Sequence, residues 1–156
     1  MMANVLCQIR GERRLILFPP DDVQHLQMPA GTSTSTISIF QEDDGPHIPR
    51  RTHPHETRLK PGEILFIPPL WPHTASPATT EVTVAVNVFF RNLSPGRYAM
   101  GRDVYGNRDL KAYEKARNDL RRMTRTFTDG LPPEMARFYL LRLAQELQDE
   151  ASSVVT

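Results

Sequence analysis

Cysteine is almost absent: Cys7 is the only one in 156 residues, so no disulfide can form within the chain. That excludes a small disulfide-stapled scaffold and fits a reducing intracellular compartment; Cys7 itself, set in an apolar run, reads as a buried core thiol. No apolar stretch approaches the roughly 20 residues that span a bilayer, and the first residues lack a basic segment followed by a hydrophobic signal core. A soluble, cytoplasmic protein with no membrane partner is expected. Charge of one sign is lacking too, since 19 Lys and Arg face 18 Asp and Glu for a formal net charge of +1. Any nucleic-acid contact must then use a local basic surface rather than a global field. No internal repeat or low-complexity tract is visible.

What is present divides unevenly along the chain. Twelve of the 14 prolines precede residue 96, whereas residues 108–127 contain neither proline nor glycine. This predicts a β-rich front and a helical back. Residues 4–9 and 14–18, rich in Val, Leu and Ile, read as two strands forming a hairpin across residues 10–13, with Gly11 permitting the turn. Residues 36–40 alternate Ile37 and Ile39 with Ser38, and the proline-broken stretch 41–54 reads as a long surface loop. Strands at 57–60 and 63–67 flank Pro61 and Gly62, which suit the central positions of a type II turn. After a loop at 68–79, the run TEVTVAVNVFF places Val82, Val84, Val86 and Val88 on one strand face, with Thr83, Ala85, Asn87 and Phe89 on the other.

A first helix begins near Asn107 or Asp109, either of which can cap it. Leu110, Tyr113, Ala116, Leu120, Met123 and Phe127 form its apolar stripe, and Gly130 ends it. A second starts at Pro132 and Pro133, carries Glu134 in its first turn and is expected to bury Phe138, Leu140, Leu143, Ala144 and Leu147. The short connection predicts an antiparallel pair, and residues 151–156 are expected to fray.

Chemistry concentrates in PGEILFIPPLWPHTA, where Pro68 and Pro69 end a strand and present Trp71 and His73 from a stiff corner. A histidine metal ligand needs such pre-organisation, although spacing alone does not separate a ligand from an ordinary histidine. In THPHE, His53, His55 and Glu56 lie close together, but Pro54 breaks the strand that would aim both rings to one side, so they read as solvent-facing loop histidines. His25 and His47 have no evident partner and receive no role. Asn87, in an otherwise apolar strand, needs a hydrogen-bond partner, because an unpaired buried amide costs about 1 to 3 kcal/mol; a ligand or a neighbouring backbone group can supply one. On the first helix, Arg108, Lys111, Lys115, Arg117, Arg121, Arg122 and Arg125 outnumber Asp109, Glu114 and Asp119. The basic surface suits RNA, while a solvated helix face is the ordinary reading.

Four segments in order, NVLCQIRGERRLILFPP, LKPGEILFIPPLWPHTA, VAVNVFFRNL and DVYGNRDLKAYE, resemble the second half of JmjC-type cupin domains over nearly the whole chain. More narrowly, FIPPLWPH and DVYGNRDLKAYE are similar to the C-terminal JmjC domains of wybutosine-synthesizing enzymes of the fungal protein 4 type, and also to the wybutosine hydroxylase. The resemblance implies a mainly β fold with α: the second half of a cupin/JmjC double-stranded β-helix over residues 1–100, an antiparallel C-terminal helix pair within 101–150, and a frayed tail at 151–156.

In that family a divalent iron, Fe(II), is held by an H-x-D/E pair and a later histidine, beside a 2-oxoglutarate-like cosubstrate. The later histidine matches His73, and Asn4 and Asn87 match cosubstrate-side asparagines. Arg13 stands where many relatives carry a lysine that pairs with the 2-oxoglutarate carboxylate; its longer fork leaves the identity of the cosubstrate open. The H-x-D pair would fall just before Met1. The resemblance therefore implies a truncated sequence, ahead of two alternatives: a degenerate protein, or ligands supplied by His53 and His55. Weak or no iron binding, and no activity alone, are expected of these residues.

By resemblance the substrate is phenylalanine tRNA, modified on the wybutosine side chain by methylation or methoxycarbonylation. S-adenosylmethionine would be used only through an upstream domain absent from these residues. The rival readings are an iron and 2-oxoglutarate hydroxylase of RNA or protein, and a non-catalytic fragment that dimerises through its C-terminal helices. A half-barrel is further expected to leave sheet edges and core surface exposed.

Overall fold

The aliphatic runs become strands, but the strands that follow one another do not pair. In the computed structural model, which describes residues 2–29, 32–41, 45–91 and 111–154, β1 (Met2–Arg10) and β2 (Arg13–Leu17) enter different sheets. β1 is the centre of one sheet, between β6 (Ile64–Ile67) and β8 (Val84–Arg91), antiparallel to both. β2 is the centre of a second, between β5 (His55–Leu59) and β7 (His73–Pro77), again antiparallel to both. The expected hairpin across residues 10–13 is thus corrected to a corner between sheets. Gly11 permits it with φ +65, and a Cβ there would stand 2.7 Å from the Val82 carbonyl oxygen, so only glycine fits. The Pro61-Gly62 turn is a second such corner, joining β5 to β6. Gly62 has φ +88 and Glu63 N–H bonds the Lys60 carbonyl at 3.0 Å, as a type II turn requires.

The two sheets face each other. Leu6 from the first and Leu15, Leu17 and Leu59 from the second pack with Ile67, and Leu65, Trp71 and Ala85 close around them. Strand alternation then sorts every residue. Asn4, Leu6 and Gln8 of β1 point inward with Leu65 and Ile67 of β6 and Ala85, Asn87 and Phe89 of β8. Inward from the second sheet come Arg13, Leu15 and Leu17, flanked by His55, Thr57 and Leu59 on one side and His73, Ala75 and Pro77 on the other.

A second cluster lies behind the second sheet. Ile16, fully buried, packs there on Phe18, Leu26 and Ile39. Leu26, the residue that ends a short 3-10 helix at Pro20–His25, supplies part of this cover. The alternation expected at 36–40 is real in burial, with Ile39 buried and Ser38 exposed, but only Phe40–Gln41 forms a strand, β3, paired with β4 (Gly45–Pro46).

The outward face of the first sheet has no such cover among the described residues. Ile64, Phe66, Val84, Val86, Val88 and Phe90 are all more than a third exposed, and Phe66 stacks on Phe90 with ring centroids 6.2 Å apart. Cys7 is on this face and half-buried, which corrects the expectation of a core thiol.

The chain divides into two compact units, Met1–Lys111 and Ala112–Thr156. The second contains α1 (Lys111–Thr128) from Ala112 onward and α2 (Pro133–Ser153), with residues 129–132 between them. Phe127 meets Tyr139 edge to face at 6.0 Å. The expected burial along α2 does not hold: Phe138 is 56% and Leu147 55% exposed, Ala144 is exposed, and only Ala136 is buried among the described residues of the helix. α2 also runs on to Ser153 instead of fraying from residue 151. The expected caps Asn107 and Asp109, with Arg108 and Leu110, lie outside the described residues. No described helix is long and apolar enough to cross a membrane.

Candidate functional site

The expected loop at 68–79 contains a strand, β7, and this strand sets the site. Of its residues, HTASP, only Thr74 favours a strand, and Pro77 argues against a ladder. As an edge strand it needs hydrogen bonds on one side only, and Pro77 sits at its end. The corner leading into it is held firmly. Leu70 has φ +67, a left-handed conformation that a branched residue adopts only under constraint, and Phe18 N–H bonds the Pro72 carbonyl at 2.8 Å.

His73 opens β7, opposite Leu17 and on the inward face. Its Nδ1 lies 3.0 Å from the Trp71 carbonyl oxygen. A carbonyl only accepts, so Nδ1 carries the proton, and in the neutral ring Nε2 keeps its lone pair. The imidazole is exposed. It is therefore a tautomer-fixed histidine whose free nitrogen suits a metal or a proton-transfer role.

His55, read from sequence as a loop residue, opens β5 and faces Leu17 from the other side, so His55 and His73 flank one leucine at the same end of the sheet. Two strand spacings separate them, about 10 Å between backbones. The His55 ring lies 5.4 Å from the Trp71 ring at an interplanar angle of 55°. His53 does something different. Its backbone N–H and ring Nδ1 reach the two carboxylate oxygens of Asp22 at 2.6 and 2.9 Å. Asp22 is 2% exposed. Burial alone would raise its pKa, but the hydrogen bonds from His53 and the charges of His53 and His25 outweigh that and hold the carboxyl below its ordinary value. His53 is thus a clamp on the entry to β5.

Asn4 is 5% exposed on the inward face, and its Oδ1 has no hydrogen-bond partner among the described residues. Asn87 lies diagonally from it on the neighbouring strand, on the same face. Asn87 is exposed, so water can satisfy its amide and the expected desolvation cost does not arise. Arg13 is half-buried on the inward face at the other end of β2, four residues from Leu17, or about 13 Å along the strand. The structure therefore puts Asn4, Asn87, Arg13 and His73 on facing inner surfaces, with His73 at one end and Arg13 at the other.

Sequence reasoning missed Gln8. It is 1% exposed, and its Nε2 donates to the carbonyls of Arg10 and Gly11 and to Thr83 Oγ1 at 2.7–2.9 Å, stapling the corner that carries Arg13. Its position between aliphatic neighbours was the one available signal. Glu56 faces outward and is not part of the site. The hydrogen bond from Arg14, at 2.6 Å, depresses its pKa and raises that of Arg14. His25 and His47 line a surface groove with Arg50.

Among the described residues no group of three His, Cys, Asp or Glu side chains could hold a metal ion. With His53 committed to Asp22 and His55 about 10 Å across the rim, the described residues do not fit a three-ligand iron site.

Comparison with known proteins accords with this architecture. A family model described as Cupin-like domain matches residues 1–95. The chain is 71% identical over 151 residues to tRNA wybutosine-synthesizing protein 4 of Aspergillus oryzae and 65% identical over 153 residues to that of Emericella nidulans, in each case over 97% of this chain. It is 34% identical over 154 residues to human tRNA wybutosine-synthesizing protein 5, covering 98% of this chain and 47% of the relative. The chain spans only 14% of the length of those fungal relatives. The paired antiparallel sheets, the two helices that follow and these matches together place the chain in the family of JmjC-type cupin-like domains.

Proposed function

We propose that the chain is the JmjC module of a tRNA-modifying enzyme acting on the wybutosine side chain of phenylalanine tRNA, by methylation or methoxycarbonylation in the larger protein. The observation that carries this reading is His73: fixed by the Trp71 carbonyl, exposed, and set in a segment 71% identical to a wybutosine-synthesizing protein. Asn4, Asn87 and Arg13 line the inner surfaces as binding residues. Lys115, Arg121 and Arg125, exposed on α1, supply cationic contacts for phosphates. S-adenosylmethionine would belong to another part of that protein, and a metal such as Fe(II) would need ligands beyond His73. The setting is cytoplasmic. The exposed apolar stripes of the helices support self-association as a homodimer.

The test is a chimera. This segment, as wild type and as His73→Ala, replaces the matching segment of the Aspergillus oryzae relative, and the modified guanosine of phenylalanine tRNA is read by mass spectrometry. The wild-type segment is expected to support the finished side chain, and His73→Ala to accumulate a precursor. Indistinguishable nucleoside profiles would refute the reading.

A second reading, a 2-oxoglutarate-dependent hydroxylase of RNA or protein, draws support from one observation. Arg13, on the inward face of β2, offers a guanidinium fork that can donate two hydrogen bonds to a carboxylate. Release of succinate from 2-oxoglutarate by the wild-type chimera, lost in Arg13→Ala, distinguishes it from the first.

A further inference from the structure

We propose that His55 and Trp71 form a stacking platform for one planar, purine-derived base at the end of the sheet that carries His73. The proposal rests on the tRNA reading above and assigns a role to two side chains that reading leaves unused.

Placement is the first argument. His55 and His73 open their strands on either side of Leu17, on one face, and Trp71 bridges them: its ring meets His55 and its carbonyl holds His73. Any group resting on the two rings is therefore at the end of the sheet that carries His73.

Exposure is the second. An aromatic pair that served only packing would be buried. Here His55 is exposed and Trp71 half-buried, packing against the inner leucines with part of its surface and leaving the rest open. The 55° tilt between the rings leaves a wedge instead of a closed parallel stack. A flat base can fill such a wedge, as unstacked RNA bases do on aromatic side chains.

Rigidity and charge are the third. The Trp71 backbone is fixed by the Leu70 conformation and the Phe18–Pro72 hydrogen bond, and the His55 backbone by the Asp22 clamp two residues earlier. Holding both rings before the ligand arrives lowers the entropy cost of binding. The one acid of β5, Glu56, points to the other face and is paired with Arg14, so no free carboxylate of β5 faces the platform to repel an RNA phosphate.

Trp71 is the only tryptophan, so its fluorescence reports the platform directly. The experiment titrates the 156-residue chain with two probes: a phenylalanine tRNA anticodon stem-loop carrying a tricyclic wyosine-type base, and the free tricyclic nucleoside. Both are expected to quench Trp71. His55→Ala, at an exposed position, should weaken binding about tenfold, the scale of one base–aromatic stack, and His55→Phe should restore it. If the stem-loop binds His55→Ala as tightly as wild type and leaves Trp71 unquenched in both, the platform is wrong while the tRNA reading stands. If the nucleoside quenches in a His55-dependent manner but the stem-loop does not bind, the platform stands and the tRNA reading fails. If neither probe binds or quenches, both are overturned.

Discussion

Replacing Asp22 by Ala removes a buried carboxylate that fastens the start of β5 to the 3-10 helix behind the second sheet. Two hydrogen bonds go, to the His53 backbone N–H at 2.6 Å and to its ring at 2.9 Å. A hydrogen bond to a charged group contributes about 1.5–3 kcal/mol. The backbone bond falls in that range. The ring is 79% exposed, so its share is discounted to the scale of a surface ion pair, under about 1 kcal/mol. The sum is about 3 kcal/mol. With a urea m-value of about 1.5 kcal/mol per M, the unfolding midpoint should fall by about 2 M at neutral pH. Trp71, in the same unit, provides the fluorescence signal. Asp22→Asn keeps an acceptor for one bond and should lose about half as much. The pH dependence follows from the depressed carboxyl pKa of Asp22. Its stabilisation is present in full above the ordinary carboxylate range and is lost as pH falls through the depressed folded-state value, so wild type and Asp22→Ala should converge in acid. A midpoint shift below about 0.5 M at neutral pH, or a gap that persists unchanged to about pH 2, would refute the clamp.

Other perturbations test the remaining structure. Gly11→Ala must accept both a left-handed backbone and a clash with the Val82 carbonyl, so it should destabilise by more than about 1 kcal/mol; a thermal shift within error of wild type would contradict the corner. Calorimetric titration of the 156-residue chain with Fe(II) should give weak or no binding, and tight stoichiometric binding abolished by His73→Ala would show that the ligand set is larger than the described residues allow. The open face of the first sheet and the helix stripes should make light scattering rise with concentration. Val86→Lys, at a half-exposed central position of that face, should reduce the rise, and a concentration-independent monomer would remove both the sheet and helix association surfaces.

Much of the fold could be read from local pattern. The alternating valines of β8, the Pro61-Gly62 turn, the Gly11 turn and the proline-headed second helix are each set within a few residues by steric limits on φ or by side-chain period, and each forms where expected. His73 was visible too, because Pro68 and Pro69 stiffen the corner that presents it. Partners were not. Whether β1 pairs with β2 depends on which strands arrive from residues 55–91, and those pull the two into separate sheets. β7 has a weak sequence of its own and exists because β2 offers it a free edge. The same pairing turned His55 inward while Asp22, 31 residues upstream of His53, claimed that histidine for structure. Short-range sterics and hydrophobic period thus determined the elements, the turns and the family resemblance from sequence alone. Which faces meet, and so which residues His73 has for neighbours, was decided only in three dimensions, because strand pairing and burial are contacts between distant parts of the chain.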